Sequence, residues 1–296
     1  MIDKFLEYIS TEKRYSTNTQ ISYNKDLRDF REFLLRSESH EKYELVSSKV
    51  IRNFMAFLGE KKVSKRSINR KLSTLRSFYL FLMKIGEVSV SPVENIQALK
   101  FYPEKQIPFS YDEMNNFRME EFLPQKKNFL KELIIETLYQ TGMRRAELTG
   151  LLHEAVDLEK LEVRVTGKGN KQRIIPISPE LAEDFRKYLT LRKPLKGSEM
   201  YFFIGPRGKK LNDAFVYSAV NSYLSNVTSK KKKSPHILRH SFATHVLEHG
   251  AEISKVKALM GHSSLASTQV YTSANIEQLK KVFNNAHPRA KKNVDL

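Results

Sequence analysis

A short segment near residue 236 combines a helix start with a histidine and an arginine. Ser234 and Pro235 are typical of the residue before a helix and of its first residue. This places His236 in the first turn and Arg239 on the same face of the helix. A helix amino terminus has free amide donors and partial positive charge, and arginine offers a planar pair of donors for phosphate oxygens. The spacing therefore indicates a site for a phosphate group.

A metal site is the alternative interpretation of the same region. His236 and His240 are four residues apart, as are His245 and His249, and histidine pairs at this spacing can bind zinc. No glutamate follows His236 or His245 in the metalloprotease pattern, and the chain has no cysteine to serve as a ligand. We favour a site without metal or other cofactor, and we interpret His240, His245 and His249 as packing or capping residues.

Two further segments carry basic side chains at corners of the chain. Arg144 follows Gly142, a residue typical of a helix end, and Glu147 comes one turn later. An arginine at such a position is usually a surface residue or half of an ion pair. Lys168 lies between two glycines, where it could reach a ligand and donate a proton, although an ordinary solvated turn has the same pattern.

A possible nucleophile lies near the carboxyl end of the chain. His262 follows Gly261, and Tyr271 comes nine residues after His262, with no other tyrosine beyond Tyr223. A lone tyrosine is usually a core or surface residue, and its pKa near 10 makes it a weak nucleophile. Catalysis by Tyr271 would need nearby cations to favour the phenolate and a tightly held phosphate to attack.

The composition of the chain points to an acidic partner. The 296 residues include 51 Lys and Arg against 33 Asp and Glu, which gives a formal net charge of +18. Such a balance is typical of a protein that binds nucleic acid, although a merely basic or ribosome-associated protein would show it too. The absence of cysteine excludes disulfides, thiol catalysis and cysteine-bound metal centres. The lack of cysteine also fits a reducing cytoplasm. We expect no signal peptide and no membrane-spanning segment.

The first hundred residues show helical periodicity. Apolar residues recur at helical spacing over Thr17–Leu35, Val50–Leu58 and Lys65–Met83. The polar side of the third segment is basic, which favours either a phosphate-facing surface or a solvated helix face. The residues on this side are Lys65, Arg66, Arg70, Lys71 and Arg76.

Prolines at positions 92, 103 and 108 separate this helical region from a mixed region. We predict a helical domain over residues 1–100, a linker over 101–109 and a second domain over 110–296. A helix over Lys127–Gln140 and a hairpin within Leu161–Ile177 begin the second domain. Further helices follow at Pro179–Leu191, Asp213–Leu224, Pro235–His249, Ile253–Met260 and Ile276–Phe283. The expected fold class is mainly α with a small antiparallel β-sheet.

These segments together resemble the tyrosine recombinases, most closely the Xer-type bacterial enzymes. The resemblance covers essentially the whole chain and includes TGMRRAEL, GKGNKQRIIPI, HILRHSFATHVLEHGA, LMGHSSLASTQVYT and the terminal HPRA. The six catalytic positions of the family fall on Arg144, Lys168, His236, Arg239, His262 and Tyr271. Met260, where leucine is common, and the run Lys230–Lys233 are departures outside these positions.

The resemblance implies an enzyme that cleaves and rejoins double-stranded DNA through a 3′-phosphotyrosyl bond and a Holliday junction, without metal or ATP. Tyr271 would be the nucleophile. The implied fold is a helical, SAM-like core-binding domain and a catalytic domain that form a C-shaped clamp around DNA. Our candidates for DNA contacts are Lys65, Arg66, Arg70, Arg76, Lys171 and Arg173.

The resemblance also implies partners and a cellular role. The expected assembly is a tetramer on two duplexes, formed with itself or with a related recombinase, and a DNA translocase is a candidate activator. We expect resolution of chromosome or plasmid dimers at a dif-like site, in the bacterial cytoplasm near the nucleoid. The alternatives are an integrase or transposase of a mobile element, a relaxing topoisomerase with the same chemistry, and a non-catalytic DNA-binding protein.

Overall fold

The computed structural model describes residues 1–102, 106–116, 128–167, 171–261 and 273–290, with side chains from 276 onward in the last range. The chain divides into two compact units, residues 1–104 and 105–296. This division lies within the segment 101–109 that the prolines led us to interpret as a linker. Phe109, the last residue of that segment, is buried in the core of the second unit.

The first unit is built from four helices, because its sequence repeats apolar residues at helical spacing. They are α1 (Ile2–Thr11), α2 (Thr17–Ser37), α3 (Ser48–Glu60) and α4 (Lys65–Lys84). Serines at 16, 47 and 64 begin the last three, and each side chain accepts a hydrogen bond from an amide of the first turn. The three predicted helices are confirmed, and α1 is an additional one.

Aromatic side chains fill the core of the first unit. Phe5 meets Phe78 edge to face with ring centroids 5.4 Å apart, and Phe30 meets Phe54 in the same way at 5.0 Å. All four rings are fully buried. Edge-to-face contacts of this kind add to the stabilisation from apolar burial, so the four helices share one core.

The second unit surrounds a small sheet with helices. Strands β1 (Val156–Asp157), β2 (Glu162–Thr166) and β3 (Gln172–Pro176) form an antiparallel sheet in that order, with Val165 opposite Arg173. The helices are α5 (Tyr111–Asn116), α6 (Phe129–Thr141), α7 (Arg145–Thr149), α8 (Pro179–Leu191), α9 (Asp213–Leu224), α10 (Pro235–Glu248), α11 (Ile253–Met260) and α12 (Ser273–Ala286). The predicted fold class is therefore confirmed, and α5 and β1 are elements that the pattern did not indicate.

Helix α6 lies at the centre of the second unit and ends at a residue that must be glycine. Gly142 has a left-handed backbone (φ 56°) and caps the helix, with its amide donating to the carbonyl of Leu138. A Cβ atom at this position would lie 2.4 Å from the Phe242 ring on α10, so only glycine fits. The tight turn lets α6 pack directly on α10 and directs the chain into Arg144.

Helix α12 packs on its own unit. It contacts α10, α11 and β3, and its residues Leu279 and Phe283 are buried. The sequence left open whether this helix covers its own domain or a neighbouring subunit, and within the single chain it covers its own. No helix in the described part of the chain is both long enough and apolar enough to cross a membrane.

Candidate active site

Arg144 lies at the corner between α6 and α7, and a glutamate fixes it there. Glu147, one turn into α7, accepts the backbone amide of Arg144 at 2.7 Å and its Nη1 at 2.9 Å. Nη2 of Arg144 reaches the carbonyl of Gly261, at the end of α11, at 3.4 Å. The Arg144 side chain remains 45% exposed, so it is held in place and still faces solvent.

Glu147 is the central carboxylate of this site; the sequence placed it one turn after Arg144, but we did not predict it as a site residue. Arg173 on β3 donates two parallel hydrogen bonds to it, from Nη1 at 2.9 Å and from Nη2 at 2.8 Å. Burial would raise the pKa of Glu147, but the bonds from Arg173 and Arg144 lower it to about 2. An acid three residues after a helix-starting residue was the available signal, since such an acid can bond back to the helix start.

Arg239 enters the same site from α10. Its side chain is 4% exposed, and its two terminal nitrogens donate to the carbonyls of Gly142 and Met260, the latter at 2.5 Å. Burial, followed by the nearby charges of Arg144 and Arg173, lowers the pKa of Arg239 to about 10. The guanidinium is still cationic at neutral pH, and two of its five N–H groups are used by these carbonyls.

The site therefore holds more positive than negative charge. Three guanidinium groups, those of Arg144, Arg173 and Arg239, surround the one carboxylate of Glu147. No carboxylate among the described residues forms an ion pair with Arg239. A partly buried cluster with surplus positive charge attracts an anion, and arginine donors match the oxygens of a phosphate.

His236 occupies the first turn of α10, as predicted, and is exposed. Ser234 has the extended backbone of a residue that precedes a helix, and Pro235 is the first helical residue. The Ser234 side chain does not accept a hydrogen bond from the first turn, so it marks the helix start without capping it. His236 and Arg239 thus lie near the same end of α10, and the hydrogen bonds of Arg239 place its guanidinium in this site.

The positions of the other histidines of α10 test the alternative interpretation of a metal site. His245 is buried with its Nδ1 2.8 Å from the Tyr139 hydroxyl, and burial lowers its pKa. His249 ends the helix, with its Nδ1 2.7 Å from the carbonyl of His245. These two roles are the predicted packing and capping. His240 is exposed, which contradicts the packing role predicted for it. The described residues include no group of three or more metal-binding side chains.

Three of the six predicted catalytic residues, Lys168, His262 and Tyr271, lie outside the described residues. The described chain neighbours of Lys168 and His262 nevertheless border the site. A Cβ atom placed on Gly167 would lie 3.6 Å from Oε1 of Glu147, and Gly261 accepts the hydrogen bond from Arg144. Lys168 and His262 each follow one of these glycines directly.

The predicted DNA contacts divide into exposed side chains and side chains used within the fold. Lys65 and Arg66 are exposed at the start of α4, and Lys171 is exposed beside the β2–β3 hairpin. Arg70 forms an ion pair with Asp26 but keeps a side-chain exposure of 44%, and Arg76 donates to the carbonyl of Ile96. The exposed residues keep their predicted role as candidates for phosphate contacts.

Two basic residues do not lie where the sequence placed them. Lys71, expected on the exposed side of α4, is 6% exposed and pairs with Asp26 at 2.9 Å. Arg173, predicted to contact DNA, is 4% exposed, and its guanidinium bonds Glu147 and the carbonyl of Leu259. The predicted DNA contact therefore does not hold for Arg173, because a buried carboxylate takes up its side chain.

Comparison with known proteins identifies the family. Residues 103–278 match the phage integrase family, and residues 2–86 match the phage integrase N-terminal SAM-like domain. The chain is 36% identical to tyrosine recombinase XerC of Staphylococcus carnosus over 98% of each chain. It is 34% identical to tyrosine recombinase XerC of Chlorobaculum parvum, over 98% of this chain and 94% of the relative.

Solved structures show the same fold at lower identity. A lambda integrase dimer bound to a core site aligns with a TM-score of 0.71 and 15% identity, covering 91% of this chain and 98% of that one. XerH recombinase bound to a palindromic difH substrate aligns with a TM-score of 0.69 and 19% identity, covering 96% and 84%. From the family matches and the curated relatives, the chain belongs to the phage integrase family and is a tyrosine recombinase of the Xer type.

Proposed function

We propose that this recombinase cleaves DNA by attack of the Tyr271 hydroxyl on the scissile phosphate. The bond between phosphorus and the 5′ oxygen breaks, the 5′ hydroxyl leaves, and a 3′-phosphotyrosyl bond forms. Attack of a 5′ hydroxyl on this bond rejoins a strand and releases Tyr271. Since the covalent bond keeps the energy of the phosphodiester, the cycle needs no ATP.

One observation supports the proposal most strongly. Arg144 and Arg239, which come from distant parts of the sequence, donate to the consecutive carbonyls of Gly261 and Met260. These carbonyls end α11, directly before His262 and ten residues before Tyr271. Two of the six proposed catalytic residues are thus fixed at the start of the segment that carries two others.

The proposed roles follow from the charge that develops on the phosphate. Arg144 and Arg239 stabilise the equatorial oxygens, and His262 adds a further hydrogen bond. Lys168 donates a proton to the leaving oxygen, and His236 orients the phosphate or assists proton movement at Tyr271. The surplus positive charge of this site fits the negative charge that builds up in the transition state.

The assembly and the cellular role are also proposals. Exchange between two duplexes needs four cleavages, hence a tetramer of this recombinase alone or with a related partner, and a Holliday junction between two rounds of exchange. A lambda integrase tetramer of the same fold is bound to a Holliday junction. The proposed role is resolution of chromosome or plasmid dimers at a dif-like site, and XerH recombinase of the same fold is bound to a difH substrate. Lys65, Arg66, Arg70 and Lys171, whose side chains remain exposed, are proposed phosphate contacts.

The decisive experiment traps the covalent intermediate. The protein is incubated in EDTA with a nicked duplex that carries a dif-like site, and adducts are separated on a denaturing gel and mapped by mass spectrometry. We expect an adduct on Tyr271. Tyr271→Phe should abolish it and retain DNA binding, whereas Tyr217→Phe, at a 47% exposed tyrosine, should form it normally. An adduct that persists in Tyr271→Phe would show that another residue is the nucleophile.

A further inference from the structure

Arg173 joins three elements that meet at the active site. From β3, its Nε donates to the carbonyl of Leu259 at 2.7 Å, and Nη1 and Nη2 donate to Glu147 on α7 at 2.9 and 2.8 Å. The guanidinium is 4% exposed and Glu147 is 5% exposed. One side chain therefore links the hairpin, the carboxylate that fixes Arg144, and the last turn of α11.

The chain is shaped to let Arg173 approach the end of α11. Gly261 has a left-handed backbone (φ 65°), and a Cβ atom there would lie 3.0 Å from both Cδ and Nη1 of Arg173. Such a distance is tighter than normal packing, so a side chain at 261 would push the arginine away from its partners. The close approach is at the residue that precedes His262.

We propose that Arg173 is a positioning residue for strand cleavage, which holds the end of α11 in register with the Arg144 corner. It does not touch DNA; it acts through Glu147 on Arg144 and through Leu259 on the start of the segment with His262. The inference rests on the proposed function, because it uses the roles given above to Arg144 and His262.

The geometry distinguishes positioning from simple charge balance. A lysine at 173 would keep a positive charge near Glu147, but a single ammonium cannot make the planar pair of bonds to the carboxylate and also bond the Leu259 carbonyl. If Arg173 only neutralised Glu147, lysine would suffice. If it holds three elements in register, lysine would fail even in a folded protein.

The test compares Arg173→Met and Arg173→Lys with the matched control Arg164→Met. Arg164 is an exposed arginine on β2 of the same hairpin. Single-turnover cleavage of the nicked substrate is measured with all DNA bound, below the melting transition of each variant, and DNA affinity is measured separately. We expect both Arg173 variants to cleave about 100-fold more slowly, the effect of a misplacement near 1 Å, with unchanged affinity. Arg164→Met should cleave at the wild-type rate.

Hydrogen exchange gives a second readout that does not depend on cleavage. The amides of the last turn of α11 should exchange faster in both Arg173 variants, and those of α8 should not change. If Arg173→Met fails to fold, the lysine variant decides. Wild-type cleavage rates in a folded Arg173→Lys protein would overturn the proposal and leave the Tyr271 chemistry intact. If the wild type forms no Tyr271 adduct, the proposed function fails. Independently of that result, unchanged exchange at the end of α11 in the Arg173 variants would overturn the positioning role.

Discussion

Both units of the chain bury a carboxylate among basic side chains, and the two clusters differ in charge balance. In the first unit, Asp26 is 1% exposed and accepts hydrogen bonds from Lys71 and Thr74, each at 2.9 Å, and from Arg70. Lys71 also pairs with Asp29 at 2.5 Å. Two acids thus face two bases, and the cluster joins α2 to α4 with no surplus charge.

In the active-site cluster of the second unit, Glu147 is the single acid among the described residues and faces three arginines. Glu147 binds Arg144 and Arg173, and Arg239 lies near enough for both arginines to lower its pKa. Both clusters satisfy buried polar groups, but only the second carries uncompensated positive charge. Charge balance, more than the presence of buried ions, therefore separates a cluster that stabilises the fold from one suited to binding an anion.

The largest expected effect is on catalysis, from the unbalanced cluster. If Arg239 has its proposed role, Arg239→Ala removes donors to the scissile phosphate, and cleavage of the nicked substrate should slow by about 100- to 1,000-fold. Arg145→Ala serves as control, because Arg145 forms an exposed ion pair with Asp213. Single-turnover cleavage rates measure the effect. A loss below about 10-fold would contradict the role of Arg239.

The balanced cluster should respond in stability. Asp26→Asn leaves Lys71 buried with only Asp29 as an acidic partner, and breaking a buried ion pair in this way costs about 3–5 kcal/mol of unfolding free energy. Urea unfolding measures this loss, with Asp3→Asn at an exposed position as control. Strand cleavage by the folded Asp26→Asn protein should remain at the wild-type rate. A catalytic defect without loss of stability would erase the distinction between the clusters.

The pKa of Glu147 predicts how acid affects the second cluster. Its pKa is about 2 in the folded protein, below the usual carboxyl value of 4.5. A lowered folded pKa contributes stability above the unfolded pKa and loses it as pH falls, so the contribution disappears between about pH 4.5 and pH 2. It amounts to roughly 3 kcal/mol at neutral pH.

Urea unfolding across this pH range provides the measurement. Glu147→Gln should remove this part of the acid destabilisation, whereas Glu159→Gln, at a side chain 93% exposed, should retain it. Equal pH slopes in the wild type and Glu147→Gln would show that the carboxylate is not held by its arginines.

The smallest effect concerns exposed and buried bases in DNA binding. Lys65→Ala and Arg66→Ala should each reduce the salt dependence of binding by about 0.9 in log–log slope, as expected for one lost phosphate contact. Arg173→Met should leave the slope unchanged, because its guanidinium faces Glu147. The dissociation constant is measured over a series of salt concentrations. A reduced slope in Arg173→Met would place this side chain on DNA after all.

Local sequence predicted most of the helices. The bounds of α8, α9 and α11 match the apolar periodicity and the cap residues, such as Ser178 with Pro179 at the start of α8. Helix α1 was missed although Phe5 and Ile9, four residues apart, are its buried positions, since its apolar repeat is short. Strand β1 has only two residues and exists through its pairing with β2, so no local pattern could indicate it.

Candidate catalytic residues could be proposed from the sequence because the chemistry restricts residue type. A phosphate site needs arginines, a proton donor and a nucleophile, and their order along the chain resembles one family. Which basic residues are exposed could not be assigned in this way. Lys71 and Arg70 are neighbours with the same charge, yet one is 7% and the other 44% exposed in its side chain.

The sequence by itself determined the helical character of both units, the basic charge and the candidate catalytic side chains, since these depend on local spacing and residue type. Only the tertiary structure decided that Arg173 and Glu147 are buried and paired with each other. The two residues lie 26 positions apart along the chain, and Arg173 also bonds Leu259, which lies 86 positions further on. Burial of an ion depends on which distant groups surround it, and that is fixed only when β3, α7 and α11 pack together.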